Sequence, residues 1–269
     1  MPKIFGININ KLKYKEFFSE ITKLEKQKVV FTPNPEMLLE SKNDKSFKKK
    51  LLLANYLIPD GTGLYIAYQI LNEKSKPLSI ILIPYYLYNL FFKRKKLYEK
   101  YGEKICGSDL TLDLVVFAEK NKIKITVIDL FTGKNDKKTK VQKKFKEIMK
   151  KKFPKLELDY FIFNPEKKEQ IINKIKKSES KILFSTLGAK KQEKSVIEIM
   201  NECKNLKLGL AIGSSFDYFT GFQKRSPLIL RKLGLEWFYR LLTGPKKLNR
   251  LKRLYNAIFV FLYKVISSK

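Results

Sequence analysis

Short β-branched runs alternate with helix-length amphipathic segments along most of this chain, and that alternation leaves few folds open. Strands are expected at Ile4–Ile9, Lys28–Thr32, Tyr56–Pro59, Ile125–Leu130, Leu158–Phe163, Lys181–Leu187 and Leu208–Ile212. Helices are expected at Tyr14–Lys26, Pro35–Asn55, Asp109–Asn121, Thr139–Phe153, Glu166–Lys177 and Gln192–Cys203. The order predicts an α/β fold: a Rossmann-like, mostly parallel sheet with helices on both faces. Such sheets bind ligands at the carboxyl ends of their strands. After Gly213 the strand signals stop and the pattern is helical to the end. Residues 1–221 therefore read as a core, with an apolar insertion at about 73–100, and residues 222–269 as a helical, basic appendage.

Polar and glycine-rich turns follow at least four of these strands. Thr32-Pro-Asn-Pro-Glu-Met37 leaves the second strand, with Asn34 placed to cap a helix that begins at Pro35. A helix N-terminus at a strand end suits an anion. Pro59-Asp60-Gly61-Thr62-Gly63 follows the third strand. Its Gly61-x-Gly63 imitates a dinucleotide fingerprint, but no acid lies about 20 residues on to hold a ribose, so an NAD site is rejected. What remains is a carboxylate, Asp60, which suits a general base, a sugar-hydroxyl acceptor or a cap. Gly107-Ser-Asp109 opens another helix. Leu187-Gly-Ala-Lys190-Lys-Gln192-Glu193 brings a lysine and an amide–carboxylate pair to a helix start. Gly213-Ser-Ser-Phe-Asp217 and Lys224-Arg225 follow the last strand. In Gly234-Leu-Glu236-Trp237-Phe-Tyr-Arg240-Leu-Leu, the residues Leu235, Phe238 and Leu242 are expected to pack. Each turn alone passes as a capped connection. A buried-core requirement does not predict their clustering at strand ends.

Composition narrows the chemistry. The 269 residues contain no histidine, which removes Ser-His-Asp and Cys-His nucleophilic sites and His-ligated metals. Cys106 and Cys203 are too few for a disulfide framework or a four-thiolate zinc site. There are 57 basic and 26 acidic residues, a net charge of +31, which implies an anionic partner. Residues 222–269 hold 12 basic residues against one acid, so charge is densest in the appendage. The first residues carry no long apolar run, so no signal peptide is expected. Two apolar stretches, Ser79–Phe92 before Lys-Arg-Lys-Lys and Leu254–Ile266 after a basic run, are shorter than the ~18–20 residues that span a bilayer. Each reads either as an interfacial segment or as a buried helix.

Taken in order, TPNPEM, PDGTG, GSDL, LGAKKQE, GSSFDYFTGFQKRSP and GLEWFYRLL resemble the WecG/TagA/CpsF glycosyltransferase family over about Lys3 to Leu242. The resemblance implies transfer of a sugar, N-acetylmannosamine or a relative, from a UDP-sugar donor to a polyprenyl-diphosphate-linked acceptor. The pathways would be teichoic acid or other cell-surface polysaccharide synthesis. It implies that Asp60 is the catalytic base and Thr32 a catalytic residue, with Asn34 beside it. Gln192 and Glu193 would lie near the nucleotide, and Arg240 and the basic residues after it would face the lipid diphosphate. Three departures stand out: Ala189 where a proline is usual, Thr243-Gly-Pro245 where Glu-Pro is usual, and about two dozen extra residues between Leu71 and Gly107.

An inverting transfer needs a base for the acceptor hydroxyl and positive charge for the leaving diphosphate. Without histidine the base must be a carboxylate, and Asp60 is best placed. The expected substrate contacts are Asn34, Gly61, Gly107, Asp109, Lys190, Gln192, Glu193, Gly213, Asp217, Lys224 and Arg225. Arg240, Lys246, Lys247, Arg250 and Arg253 are expected at the acceptor diphosphate. No Asp-x-Asp metal motif lies in the matched segments, so neither metal nor cofactor is expected. The expected location is cytoplasmic, peripheral on the inner face of the cell membrane against an anionic surface, without a nucleic-acid partner; an oligomer stays open. A basic nucleic-acid-binding protein and a nucleotide-dependent oxidoreductase are the alternatives.

Overall fold

The computed structural model describes residues 2–130, 135–221, 223–232, 234–243 and 247–269. Six strands form one sheet: β1 Lys28–Phe31, β2 Tyr56–Leu57, β3 Ile125–Leu130, β4 Leu158–Phe163, β5 Ile182–Ser185 and β6 Leu208–Ala211. Their order is β2-β1-β6-β5-β3-β4, and every pairing is parallel. Parallel strands need crossovers, and these cover both faces with helices. Strand residues therefore alternate between two cores. Val29 and Phe31 face one, and Val30 faces the other. Leu183 and Ile182 divide in the same way.

The chain runs α1 Tyr14–Thr22, β1, α2 Pro35–Asn43, α3 Lys45–Leu52, β2, α4 Gly63–Asn72, α5 Lys76–Ile81, α6 Ile83–Phe92, α7 Arg94–Tyr101 and α8 Gly107–Lys120. After β3 come α9 Asn135–Lys152, β4, α10 Lys168–Lys177, β5, α11 Lys191–Glu202, β6, α12 Ser215–Thr220, α13 Leu228–Lys232, α14 Glu236–Thr243 and α15 Lys247–Tyr255. A π-helical turn, Asn256–Val260, leads into α16 Phe261–Ser267.

Two expected elements differ. Ile4–Ile9 does not join the sheet. Phe5 and Gly6 both adopt positive φ, and Ile4 and Ile7 exchange backbone hydrogen bonds of 3.0 and 2.9 Å across that tight turn. The isoleucines are buried all the same, so their β-like pattern reflects burial. The single helix expected over Pro35–Asn55 breaks at Asp44, whose extended backbone lets its carboxylate cap α3 at the Phe47 N–H, 2.9 Å away.

The C-terminal segment is helical, as its pattern predicts, and one side of it packs inward. Phe261 and Val265 are fully buried and share a core with Tyr65, Tyr68 and Ile70 of α4. Tyr255, Phe259 and Tyr263, spaced by four residues on the same run, are exposed.

Candidate active site

The β3–β4 connection carries α9 to one face of the sheet, and the β5–β6 connection carries α11 to the other. Phe145 and Met149 of α9 lie in one core, and Val196 and Ile199 of α11 in the opposite one. Neighbouring strands β3 and β5 thus send their chains apart, which opens a crevice at their carboxyl ends. A cavity of about 80 Å³ sits there, lined by Asp129, Tyr160, Thr186, Gly213, Phe216 and Asp217 among others. Asp129 accepts hydrogen bonds from the Tyr160 and Thr186 hydroxyls. Burial, reinforced by the nearby Asp129 charge, pushes the Asp217 carboxyl up to about 6. Asp217 was expected from the sequence; Asp129, Tyr160 and Thr186 were not. Their one sequence signal is an acid at the end of a strand whose following turn holds none of the glycine motifs.

Beside this crevice the expected motifs are stitched together by close contacts. Phe31 and Ala211 are partners across β1 and β6, so Thr32 and Ile212 leave the sheet side by side. The Asp60 N–H donates to the Pro33 carbonyl at 3.1 Å, which joins the two proline-bounded turns. A Cβ on Gly63 would stand 2.9 Å from Cγ of Pro35, so only glycine lets α4 start this close to α2. Gly234, at φ +70°, leaves room for Thr62: a Cβ there would lie 2.5 Å from the threonine methyl. Position Gly107 faces Thr32, with 3.6 Å between the threonine Oγ1 and the place a Cβ would take. Asp60 and Thr32 are both half-buried. Burial, with the negative charges of Asp60 and Glu236 close by, raises the Cys106 thiol's pKa and so favours its neutral form.

Several expected ligand residues have protein partners. Asn34 caps α2, its Oδ1 accepting from the Met37 N–H at 2.9 Å, which leaves its amide NH₂ for a ligand. Gln192 donates to Glu193 at 2.7 Å and accepts from the Gly213 N–H at 2.9 Å. Glu193 is fully buried; burial raises its pKa, and its second oxygen has no hydrogen-bond partner. It supports Gln192 from behind. Lys190 is paired with Glu40 and Asp44. Arg225 bridges Ser108, at 2.9 Å, and Asp109, which also meets Arg231 at 3.4 Å. That pairing fastens the segment after α12 to the start of α8. Lys224 is exposed. Arg253 grips Glu36 with two nitrogens, at 2.7 and 2.8 Å, and ties α15 to the first turn of α2. Lys246 and the side chains of Arg240 and Lys247 lie outside the described residues. Of the packing expected in the Trp237 segment, Phe238 and Leu242 are exposed and Leu235 is half-buried. Among the described residues, no group of three or more Cys, Asp or Glu side chains is arranged to hold a metal ion.

A doubly wound parallel sheet with a crevice at its switch point, and a carboxylate on a glycine-bounded turn beside it, is an arrangement that α/β proteins use to bind ligands at their strand ends. The family model for glycosyl transferases of the WecG/TagA/CpsF family matches residues 2–82 and 90–269. The chain belongs to that family, and it is a glycosyltransferase. The match leaves out residues 83–89, most of α6 and inside the expected insertion.

Proposed function

We propose that this glycosyltransferase moves a sugar, N-acetylmannosamine or a relative, from UDP to a polyprenyl-diphosphate-linked acceptor with inversion. It would work peripherally, on the inner face of the cell membrane, in the synthesis of a cell-surface polysaccharide or teichoic acid. The observation that carries the reading is the convergence of the Thr32, Asp60 and Gly107 turns next to the Asp129–Asp217 crevice. In this scheme the nucleotide occupies the crevice and the acceptor hydroxyl approaches Asp60. Asp60 takes the hydroxyl proton as the oxygen attacks the anomeric carbon. The bond from that carbon to the diphosphate oxygen breaks, and UDP leaves with the electron pair.

Charge for the leaving diphosphate comes from the N–H groups at the start of α8 and from exposed Lys224. Lys190 and Arg225 are already neutralised by carboxylates, so they act as struts that hold the turns. On the acceptor side, Arg250 and the other basic residues of that run are assigned to the lipid diphosphate, while Arg253 anchors α15. Exposed Trp237, Phe238, Leu242, Leu248 and Leu251 supply apolar surface for the acceptor's lipid. No helix among the described residues is long and apolar enough to cross a membrane, which fits a protein that reaches its acceptor from one side. Release of UDP from a panel of UDP-sugars, with and without a polyprenyl-diphosphate N-acetylglucosamine analogue, tests the reading. Release that ignores the acceptor would argue against it.

A further inference from the structure

The helices α5 and α6 are turned inside out for a protein in water. Ser79 and Asn89, their uncharged polar residues, point inward. Ser79 is fully buried and bonds to the Ile70 and Ser75 carbonyls. Asn89 is buried and donates to Gln69 of α4 at 2.8 Å, and Tyr86 is buried beside it. The outward side is apolar: Ile80, Ile81, Tyr85, Tyr88, Phe91 and Phe92 are all exposed, Ile81 at 72% and Phe92 at 76%. Contacts with α4 and the Gln69–Asn89 bond fix this orientation, so the helices cannot roll over to hide those side chains. A helix apolar all round is expected to be covered on every side. On α6, among the described residues, protein covers one side only.

The rim of this surface is basic. Lys93 sits over the rings of Tyr85 and Tyr88 at 5.8 and 5.3 Å, and Lys95, Lys96, Lys74 and Lys76 are exposed around it. Two copies of a chain with net charge +31 would bring like charges together across such a rim. An anionic bilayer offers the opposite: hydrocarbon for the aromatic and aliphatic crown and negative headgroups for the lysines. The C-terminus is fastened to the same place, since Lys269 Nζ bonds the Ile70 carbonyl at 2.9 Å and the Ser79 hydroxyl at 2.8 Å. The exposed stripe of Tyr255, Phe259 and Tyr263 therefore runs from beside Gly63, at the Asp60 turn, toward α5.

We infer that the outer face of α5 and α6, with its lysine rim, is the surface on which the enzyme lies in an anionic lipid bilayer. The inference deepens the proposed function and rests on its membrane-borne acceptor, but its test needs no sugar transfer. Full-length protein is sedimented with vesicles of phosphatidylcholine alone and of phosphatidylcholine mixed with phosphatidylglycerol. The wild type is expected to pellet with the anionic vesicles. Ile81→Ser with Phe92→Ser should lower the partition coefficient at least about tenfold. Lys95→Gln with Lys96→Gln should lower it several-fold and flatten its salt dependence. A Tyr88→Trp variant in a Trp237→Phe background should be quenched by lipids brominated on their acyl chains, whether or not the serine variants fold well. Equal pelleting of wild type and Ile81→Ser/Phe92→Ser, or no quenching at position 88, would overturn the inference. So would a wild type that ignores both vesicles and forms a dimer that the same substitutions dissociate. UDP release with a short-chain, water-soluble acceptor is measured alongside. Transfer intact without vesicle binding defeats this surface alone, and vesicle binding without transfer defeats the proposed reaction alone.

Discussion

Replacing Phe261 with alanine tests whether the C-terminal helix is part of the fold. The ring is fully buried, meets Phe5 edge to face at 5.8 Å, and shares its core with residues of α4. Truncation loses the transfer free energy of the ring and leaves a cavity that its neighbours fill only in part, together about 3–5 kcal/mol. A chain of 269 residues loses roughly 0.6 kcal/mol of stability per kelvin near its midpoint. The substitution should therefore lower Tm by about 5–9 °C. Tyr263→Ala, two residues along the same helix but 65% exposed, should change stability by no more than about 0.5 kcal/mol. Thermal unfolding followed by circular dichroism, with the tyrosine variant as the control, reads the difference. If Phe261→Ala melted within a degree or so of Tyr263→Ala, the helix would be a loose appendage and the packing argument would fail. The same reasoning says that deleting residues 256–269 uncovers α4 and harms the fold as well as any membrane contact.

Asp60→Asn should leave Tm and UDP binding unchanged and lower kcat by roughly 10²–10⁴ with saturating substrates. Thr32→Ala should lower kcat less, and a loss confined to Tm would make Thr32 a structural contact. Glu193→Gln keeps the shape of the buried side chain and removes its ionisable group. Burial raises the Glu193 pKa, so the folded chain holds this proton more tightly than the unfolded chain does. Its contribution to stability is full below the unfolded value and falls as pH rises through the raised one. The glutamine variant should match the wild type in urea at about pH 4 and equal or exceed it at about pH 8; a variant less stable only at the higher pH would reverse that sign. Arg225→Met, which leaves Asp109 only its longer contact with Arg231 and removes the bond to Ser108, should cost about 1 kcal/mol, discounted because the Asp109 side chain is 46% exposed. Lys224→Met should cost nothing measurable, and equal losses in the pair would remove the assigned strut.

Six of the seven expected strands were legible because β-branched runs of strand length, bounded by turn residues, have few other uses. The seventh misled because burial alone produces the same pattern: Ile4, Ile7 and Ile9 are core residues on a tight local turn. The break between α2 and α3 was written in Asn43-Asp44, a capping pair inside an apolar period, but a helical period reads straight through it. In the site, the glycine and proline turns were visible because close approach restricts residue type; Gly63 against Pro35 is the clearest case. The partners of Lys190 and Arg225 were not visible. A sequence fixes that a side chain is cationic, while the fold decides whether a carboxylate such as Glu40 or Asp109 reaches it first. Asp129 and Thr186 were missed for a related reason, since the crevice they line depends on the strand order, which no local pattern encodes.

The most direct measurement of the central claim is the anomeric outcome of a single transfer, with wild type and Asp60→Asn compared on the same materials. Purified protein is incubated with each of a set of UDP-sugars and the polyprenyl-diphosphate N-acetylglucosamine analogue, and the product is examined by NMR for the configuration at the new glycosidic carbon. The expected result is UDP release dependent on the acceptor, one preferred sugar, inverted configuration in the product, and loss of UDP release and product in Asp60→Asn. A product of retained configuration, or full turnover in Asp60→Asn, would contradict it.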